Sequence, residues 1–246
     1  GYRLDAAPFA HNGPDGRPKG FSVELCQGVA LPIARAAGIT EFKVNFVPVS
    51  AAERFTALES KKIDVLCEAT TITFKRRETM DFSLMTFATG ASVLVRGELK
   101  ELKGFLDLKG RKIGVLGGTT TEEGLRGLLV RLNVNASIQI FGNHDLGLAA
   151  LEGGLIDAYF GDRELLIGLI RKAKTPGQLG IAAAQFSYEP YALAMRKGED
   201  RLRLAIDQAL ARLYLSGAVL DMLTRNFGRK PNDELLLLYA LQTIPD

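Results

Sequence analysis

Two histidines and two cysteines are all that this chain of 246 residues offers to metal or thiol chemistry. That scarcity removes whole reaction classes. His11 and His144 belong to no H-E-x-x-H helix face, no cysteine and histidine stand at a useful spacing, and no serine sits in G-x-S-x-G. Cys26 and Cys67 match no zinc or dithiol motif. They are either two buried free thiols or one disulfide. A bridge needs Cα atoms within about 7 Å and suits an oxidising compartment. Net charge is only +3, with basic residues dispersed, which excludes nucleic acid as a partner. Long hydrophobic runs are missing too. Leu235–Leu238 falls far short of the roughly 20 apolar residues that span a bilayer, so no transmembrane segment is expected. The chain opens at Gly1 inside what reads as a strand, which fits a leader removed earlier and leaves the compartment open.

What is present alternates between strand and helix signals. Tyr2–Leu4 reads as a short strand, and Asn12-Gly13-Pro14-Asp15-Gly16 as a hairpin or loop. Ser22 caps a helix to about Ala37, with Pro32 inside it. Phe42–Val49 alternates as a strand, 51–60 is a helix, Ile63–Leu66 a buried strand, and Phe87–Val95 a long strand. A second cycle follows. Strands at 112–116, 137–141 and 156–160 precede helices to about Leu132, at 145–151 and at 163–172. Residues 175–180 are a loop, 191–195 a strand, and 201–227 two helices broken at Ser216-Gly217. An apolar patch runs from Leu235 to Tyr239. The class is α/β with parallel sheets, in two units meeting near Arg96.

Ligands of such sheets bind at the carboxyl ends of strands. Glu68-Ala69-Thr70-Thr71 ends one strand and precedes Arg76 and Arg77, which are either part of a turn and short basic helix facing solvent or guanidinium groups placed to hold a carboxylate by paired hydrogen bonds. Gly114-Val-Leu-Gly-Gly-Thr119-Thr120-Thr121 lies between a strand and a helix. It is neither the dinucleotide fingerprint nor a P-loop, and is either a glycine-rich turn with a threonine cap or a generic anion site. Asp162 is an N-cap or a ligand for a cation. His144 before its helix is a cap, a surface residue or a ligand, and Arg3 in the first strand points to solvent, a partner or a cleft.

Together the segments Gly20-Phe-Ser-Val-Glu-Leu, Ile63-Asp-Val-Leu, Thr70 through Ser83, Asp107 through Thr120, Asp157 through Asp162, and Tyr191 through Gly198 resemble the family 3 periplasmic solute-binding proteins, the amino-acid-capturing subunits of ABC importers. Ligand-binding cores of ionotropic glutamate receptors look alike. The resemblance implies a type II periplasmic-binding-protein-like α/β fold with two lobes joined by two crossover strands. Lobe 1 would be 1–94 and 190–246, and lobe 2 would be 95–189, shutting over a ligand between them. Carried over by motif position, Arg76 grips the ligand α-carboxylate beside Thr71 and backbone from Ala69 and Thr70. Thr119 and Thr120, with Thr89 nearby, meet it from lobe 2, and Asp162 takes the α-ammonium.

Glutamate/aspartate-binding members resemble this chain at two further positions, Arg3 and His144. Binders of basic amino acids place an acidic residue where Arg3 stands, so the reversed sign implies an acidic ligand such as glutamate or aspartate. Ala6 and Ala51 stand where many members carry an aromatic, which argues against a large flat or long cationic ligand. The resemblance further implies no enzyme activity, cofactor or metal, a monomer, permease subunits of an ABC importer as partners, and a periplasmic or extracellular location. Two alternatives are a sensor ectodomain and a dehydratase-like enzyme of the same fold using Glu68 and Asp162.

Overall fold

A computed structural model describes residues 1–97, 99, 102 and 104–244. The other six positions, including the last two of the expected lobe 1, lie outside the described residues. The chain separates into two compact units, one of Gly1–Val49, Glu53–Ala88 and Pro190–Asp246, the other of Ser50–Ala52 and Thr89–Glu189. In chain order the elements begin β1 (Asp5–Ala6), β2 (Ala10–Asn12), β3 (Pro18–Lys19), α1 (Phe21–Ala36), α2 (Arg54–Glu59), β4 (Val65–Leu66), α3 (Phe74–Arg77) and β5 (Met80–Thr89). They continue β6 (Ala91–Arg96), β7 (Lys112–Leu116), α4 (Thr120–Arg131), β8 (Ser137–Phe141), α5 (His144–Glu152), β9 (Ala158–Asp162), α6 (Arg163–Lys172) and β10 (Leu179–Ile181). β11 (Glu189–Arg196), α7 (Asp200–Leu215), α8 (Ala218–Phe227) and α9 (Asp233–Ala240) complete the chain.

In the first unit a sheet of order β4-β11-β5 carries a core of Leu58, Ile63, Leu66, Met80, Phe82, Ala192 and Ala194. Phe9, Phe21, Phe87, Tyr191 and Phe227 form a second knot, with Phe87 and Phe227 stacked at 5.1 Å. These rings are nearly all fully buried, so each removes a large apolar area from water. The expected turn at 12–16 joins β2 to β3, where the Gly13 N–H donates to the Arg17 carbonyl at 2.8 Å. Cys26 on α1 is bonded to Cys67 just after β4, with Cα atoms 6.0 Å apart, so the thiol alternative is set aside. Replacing both by serine should lower unfolding free energy by about 4 kcal/mol, because the bridge closes a loop of 41 residues in the unfolded chain. Urea unfolding measures the loss, and two reactive thiols in denatured, unreduced protein would refute the bridge.

The second unit is a five-stranded sheet of order β10-β6-β9-β7-β8 with helices on both faces. Val93, Val95, Ile113, Val115 and Phe160 face Leu125, Leu128 and Leu129 of α4. Leu94 and Tyr159, one residue out of step, face Leu148, Leu151, Leu166 and Leu169 of α5 and α6. A strand covered on both sides reads as an unbroken apolar run, which is why 91–95 and 158–160 do not alternate.

Several expectations are corrected. The sheets are mixed, not parallel: β7 runs parallel to β8 and β9, but β6 is antiparallel to β9 and β10, and β4 to β11. Tyr2–Leu4 and Phe42–Val49 are not strands. They touch through one parallel bridge, Tyr2 to Pro48, and an alternating pattern becomes a strand only beside a neighbour of matching length. The run 87–95 is two strands broken at Gly90, where a Cβ would come within 2.4 Å of the Ser187 carbonyl oxygen. Gly20, not Ser22, is the N-cap of α1, and the Ser22 hydroxyl donates to the Glu68 carbonyl at 3.2 Å. The 175–180 loop contains a 3-10 turn and the start of β10, and the apolar patch at 235–239 is part of α9, capped by Asn232.

Candidate functional site

In the first unit the chain leaves β4 and folds a buried charge cluster around Glu68, which is fully buried. Its Oε1 lies 3.2 Å from Arg54 Nε and accepts from the Thr70 hydroxyl at 2.6 Å, while Oε2 lies 3.7 Å from Arg3 Nε. Arg3 also donates from Nε and Nη2 to Asp5 Oδ1 at 3.0 and 2.9 Å. Arg3 and Arg54 are each 2 % exposed. Burial pulls the Arg54 guanidinium down to about 10, and the charge of Glu68 opposes that fall. Arg3 and Arg76 push in the same direction as burial, so the three arginines act on one field.

Arg76 enters from α3, a single turn capped by the Thr73 hydroxyl, which accepts from the Arg76 N–H at 3.1 Å. Its Nη1 donates to the Thr71 carbonyl at 2.7 Å, which orients the half-buried guanidinium. The Arg54 and Arg76 guanidinium groups lie 4.4 and 5.0 Å from the centre of the Phe55 ring. Residues 70–72 are held by 190–192, through Ala192 N–H to the Thr70 carbonyl and Ile72 N–H to the Pro190 carbonyl. Arg3 and Thr70 are thus brought to the Glu68 carboxylate, and Arg76 to the Thr71 carbonyl.

In the second unit β9, β7 and β8 lie side by side and parallel. Asp162 closes β9, Thr119 and Thr120 follow β7, and His144 follows β8, so these candidates occupy the carboxyl ends of three adjacent strands. Thr119 is the N-cap of α4 and accepts from the Glu122 N–H at 3.2 Å. Thr120 donates its hydroxyl proton to Glu189 Oε2 at 2.8 Å. Asp162 is buried and lies opposite Ala91 in the β6–β9 register, two residues beyond the buried Thr89. His144 is the first residue of α5, behind the N-cap Asn143, and its Nδ1 lies 3.0 Å from the Tyr159 hydroxyl. Gly114 and Gly147 make room for that tyrosine: a Cβ at either would come within 2.9 or 2.1 Å of its ring. Gly114 therefore serves packing rather than an anion.

Arg54 and Glu189 escaped the sequence, and the ion-pair role of Glu68 did too. Arg54 reads there as an ordinary polar helix residue, and only contact with Glu68 reveals its burial. Glu68, named in the sequence only as an acid, is enclosed by Arg3, Arg54 and the Thr70 hydroxyl. Glu189 stands beside Pro190 with no motif to mark it. Among the described residues no cluster of three or more histidine, cysteine, aspartate or glutamate side chains is arranged to hold a metal, and no helix is long and apolar enough to cross a membrane.

A mixed α/β chain whose polar groups gather at strand ends in each of two units is the build of a solute-binding protein. The family model of bacterial extracellular solute-binding proteins, family 3, matches residues 1–229, and the chain belongs to that family. It is similar to an L-glutamate/L-aspartate-binding protein of Pseudomonas aeruginosa, 29% identical over 220 residues that cover 89% of this chain and 72% of that one. It is also similar to the L-cystine-binding protein TcyJ of Escherichia coli, 31% identical over 223 residues, covering 90% and 79%. Among solved structures, an ancestral arginine-binding protein bound to arginine matches with a TM-score of 0.80 and 29% identity over 92% of this chain and 98% of that one.

Proposed function

We propose that this chain captures a polar amino acid with an acidic side chain, of the glutamate or aspartate class, outside the cytoplasm and delivers it to an ABC importer. In this reading both units close on one zwitterion. The α-carboxylate goes to Arg76, with Thr71 and the backbone of Ala69 and Thr70 beside it. The α-ammonium goes to Asp162, and the side-chain carboxylate to the field of Arg3 with His144. Thr89, Thr119 and Thr120 line the second unit's share. The observation that carries the reading is the convergence of three arginines in the first unit: Arg3 and Arg54 lie on Glu68, and Arg54 and Arg76 lie over the Phe55 ring. A guanidinium already oriented by a carbonyl, as Arg76 is by Thr71, loses little freedom when it meets a carboxylate. The glutamate/aspartate-binding relative supports the same class.

A second reading is a neutral polar ligand, cystine in class. It is favoured by the hydrogen-bonded pair of Arg3 with Asp5, which already offsets the Arg3 charge, and by the cystine-binding relative. Calorimetric titration with glutamate, aspartate, glutamine, cystine and arginine separates the two. No heat from any amino acid up to millimolar concentration would overturn capture altogether. Arg3→Ala should then weaken glutamate by about 30-fold or more, the cost of stranding one carboxylate of a buried pair, and glutamine only a few-fold. Equal losses would favour the neutral ligand.

A further inference from the structure

β5 carries the chain out of the first unit after Ala88, and β11 brings it back at Pro190. Just before that exit, β5 is held by side chains. The Leu84 N–H donates to Asp207 Oδ1 at 2.7 Å, and the Met85 N–H to Gln242 Oε1 at 2.7 Å. The Met85 carbonyl accepts from Gln242 Nε2 and from the Tyr214 hydroxyl, both at 2.9 Å. The Thr86 carbonyl accepts the Tyr239 hydroxyl at 2.7 Å. Backbone groups of three consecutive residues are thus satisfied by α7, by α9 and by Gln242 just beyond it.

Gln242 does what a residue of a neighbouring antiparallel strand would do. Its amide oxygen takes the N–H of Met85 and its amide nitrogen meets the carbonyl of the same residue. Nε2 also donates to the Leu238 carbonyl at 3.2 Å, which fixes the amide to α9. Tyr239 is buried, and its ring centre lies 4.7 Å from that of Tyr214. The same stretch of β5 is tied to the returning strand, because the Thr86 hydroxyl donates to the Tyr191 carbonyl at 3.4 Å. Covering a sheet edge against other chains does not require this position. These bonds end at Thr86, and the second unit begins at Thr89.

We propose that Gln242 and Tyr239 are positioning residues for capture: they clamp β5 at Met85 and Thr86, so that bending between the units is confined to the few residues that follow. The proposal rests on the amino-acid-capture reading above. A strand already held has fewer conformations to lose when the units close on a ligand, and the entropy that is not lost appears as affinity.

Hydrogen exchange of the unliganded protein and calorimetry with L-glutamate, or with L-cystine if glutamate gives no heat, test the clamp together. Gln242→Ala should speed exchange of peptides spanning 84–88 by about tenfold and weaken binding by about fivefold. Tyr239→Phe, which keeps the ring and deletes one hydroxyl, should change each by about threefold. Val219→Ala, at a fully buried residue of α8, should lower thermal stability yet leave both readouts at the wild-type level. Faster exchange with affinity within twofold of wild type would make these contacts an edge cover only and overturn the proposal. Unchanged exchange in Gln242→Ala overturns it as well, and both results leave capture intact. Should Gln242→Ala fail to fold, Tyr239→Phe decides by the same two readouts. A wild-type protein that binds neither amino acid overturns capture, and the proposal with it.

Discussion

Arg76→Ala is expected to abolish measurable binding of every amino-acid ligand, whatever its side chain. The expected loss is about 3–5 kcal/mol, or roughly two to three and a half orders of magnitude in Kd, because the variant would strand a desolvated carboxylate. The geometry makes the residue hard to replace. Nη1 is fixed on the Thr71 carbonyl, and the guanidinium packs on Phe55. Lysine would restore the charge but not the planar fork, so Arg76→Lys should recover only part of the loss. Folding should hardly change, since the side chain is only half-buried and anchors no core cluster. Calorimetry against the amino-acid panel measures the first quantity and thermal unfolding the second. Affinity within a few-fold of wild type would remove the carboxylate role of Arg76.

Glu68→Ala is expected to act the other way round, on stability more than on ligand contact. Glu68 is the anion shared by Arg54 and Arg3, each 2 % exposed, and it also receives the Thr70 hydroxyl. Deleting it leaves two buried guanidinium groups with less counter-charge and a buried hydroxyl without its acceptor. Breaking a buried ion pair from one side costs about 3–5 kcal/mol, a large share of the 5–15 kcal/mol that holds a typical domain folded. Glu68→Gln keeps the shape and an acceptor for Thr70 while removing the charge, so it should fall between wild type and Glu68→Ala. Urea unfolding with an unchanged m-value is the measurement. A loss below about 1 kcal/mol would mean that Asp5 and solvent already balance the two arginines.

Much of the fold was legible because its signals are local. The Asn12–Gly16 turn, the Ser216-Gly217 break and the strands at 112–116 and 137–141 follow from backbone preferences and apolar spacing within a few residues. Asp162, Thr119 and Thr120 were recognisable as residues at the ends of strands for the same reason. The family segments worked similarly, since each is a short contiguous string. Sheet direction was not legible. The run 87–95 looks like one strand until the Ser187 carbonyl is known to press on Gly90. Nor could the sequence choose between thiols and a bridge, since Cys26 and Cys67 are separated by 41 positions and meet only when α1 packs beside β4.

By itself, then, the amino-acid order determined the strand–helix alternation, the two-unit arrangement as an expectation, and which residue types stand at strand ends. These are matters of periodicity and of backbone conformations that each residue permits. Only the tertiary structure decided how the charges are matched: Arg3 to Asp5 and Glu68, Arg54 to Glu68, and the Thr120 proton to Glu189 across a separation of 69 residues. Coulomb and hydrogen-bond energies depend on distance in space and on exclusion of water. Neither exists along an extended chain, and both arise when the core closes around the polar groups it has trapped.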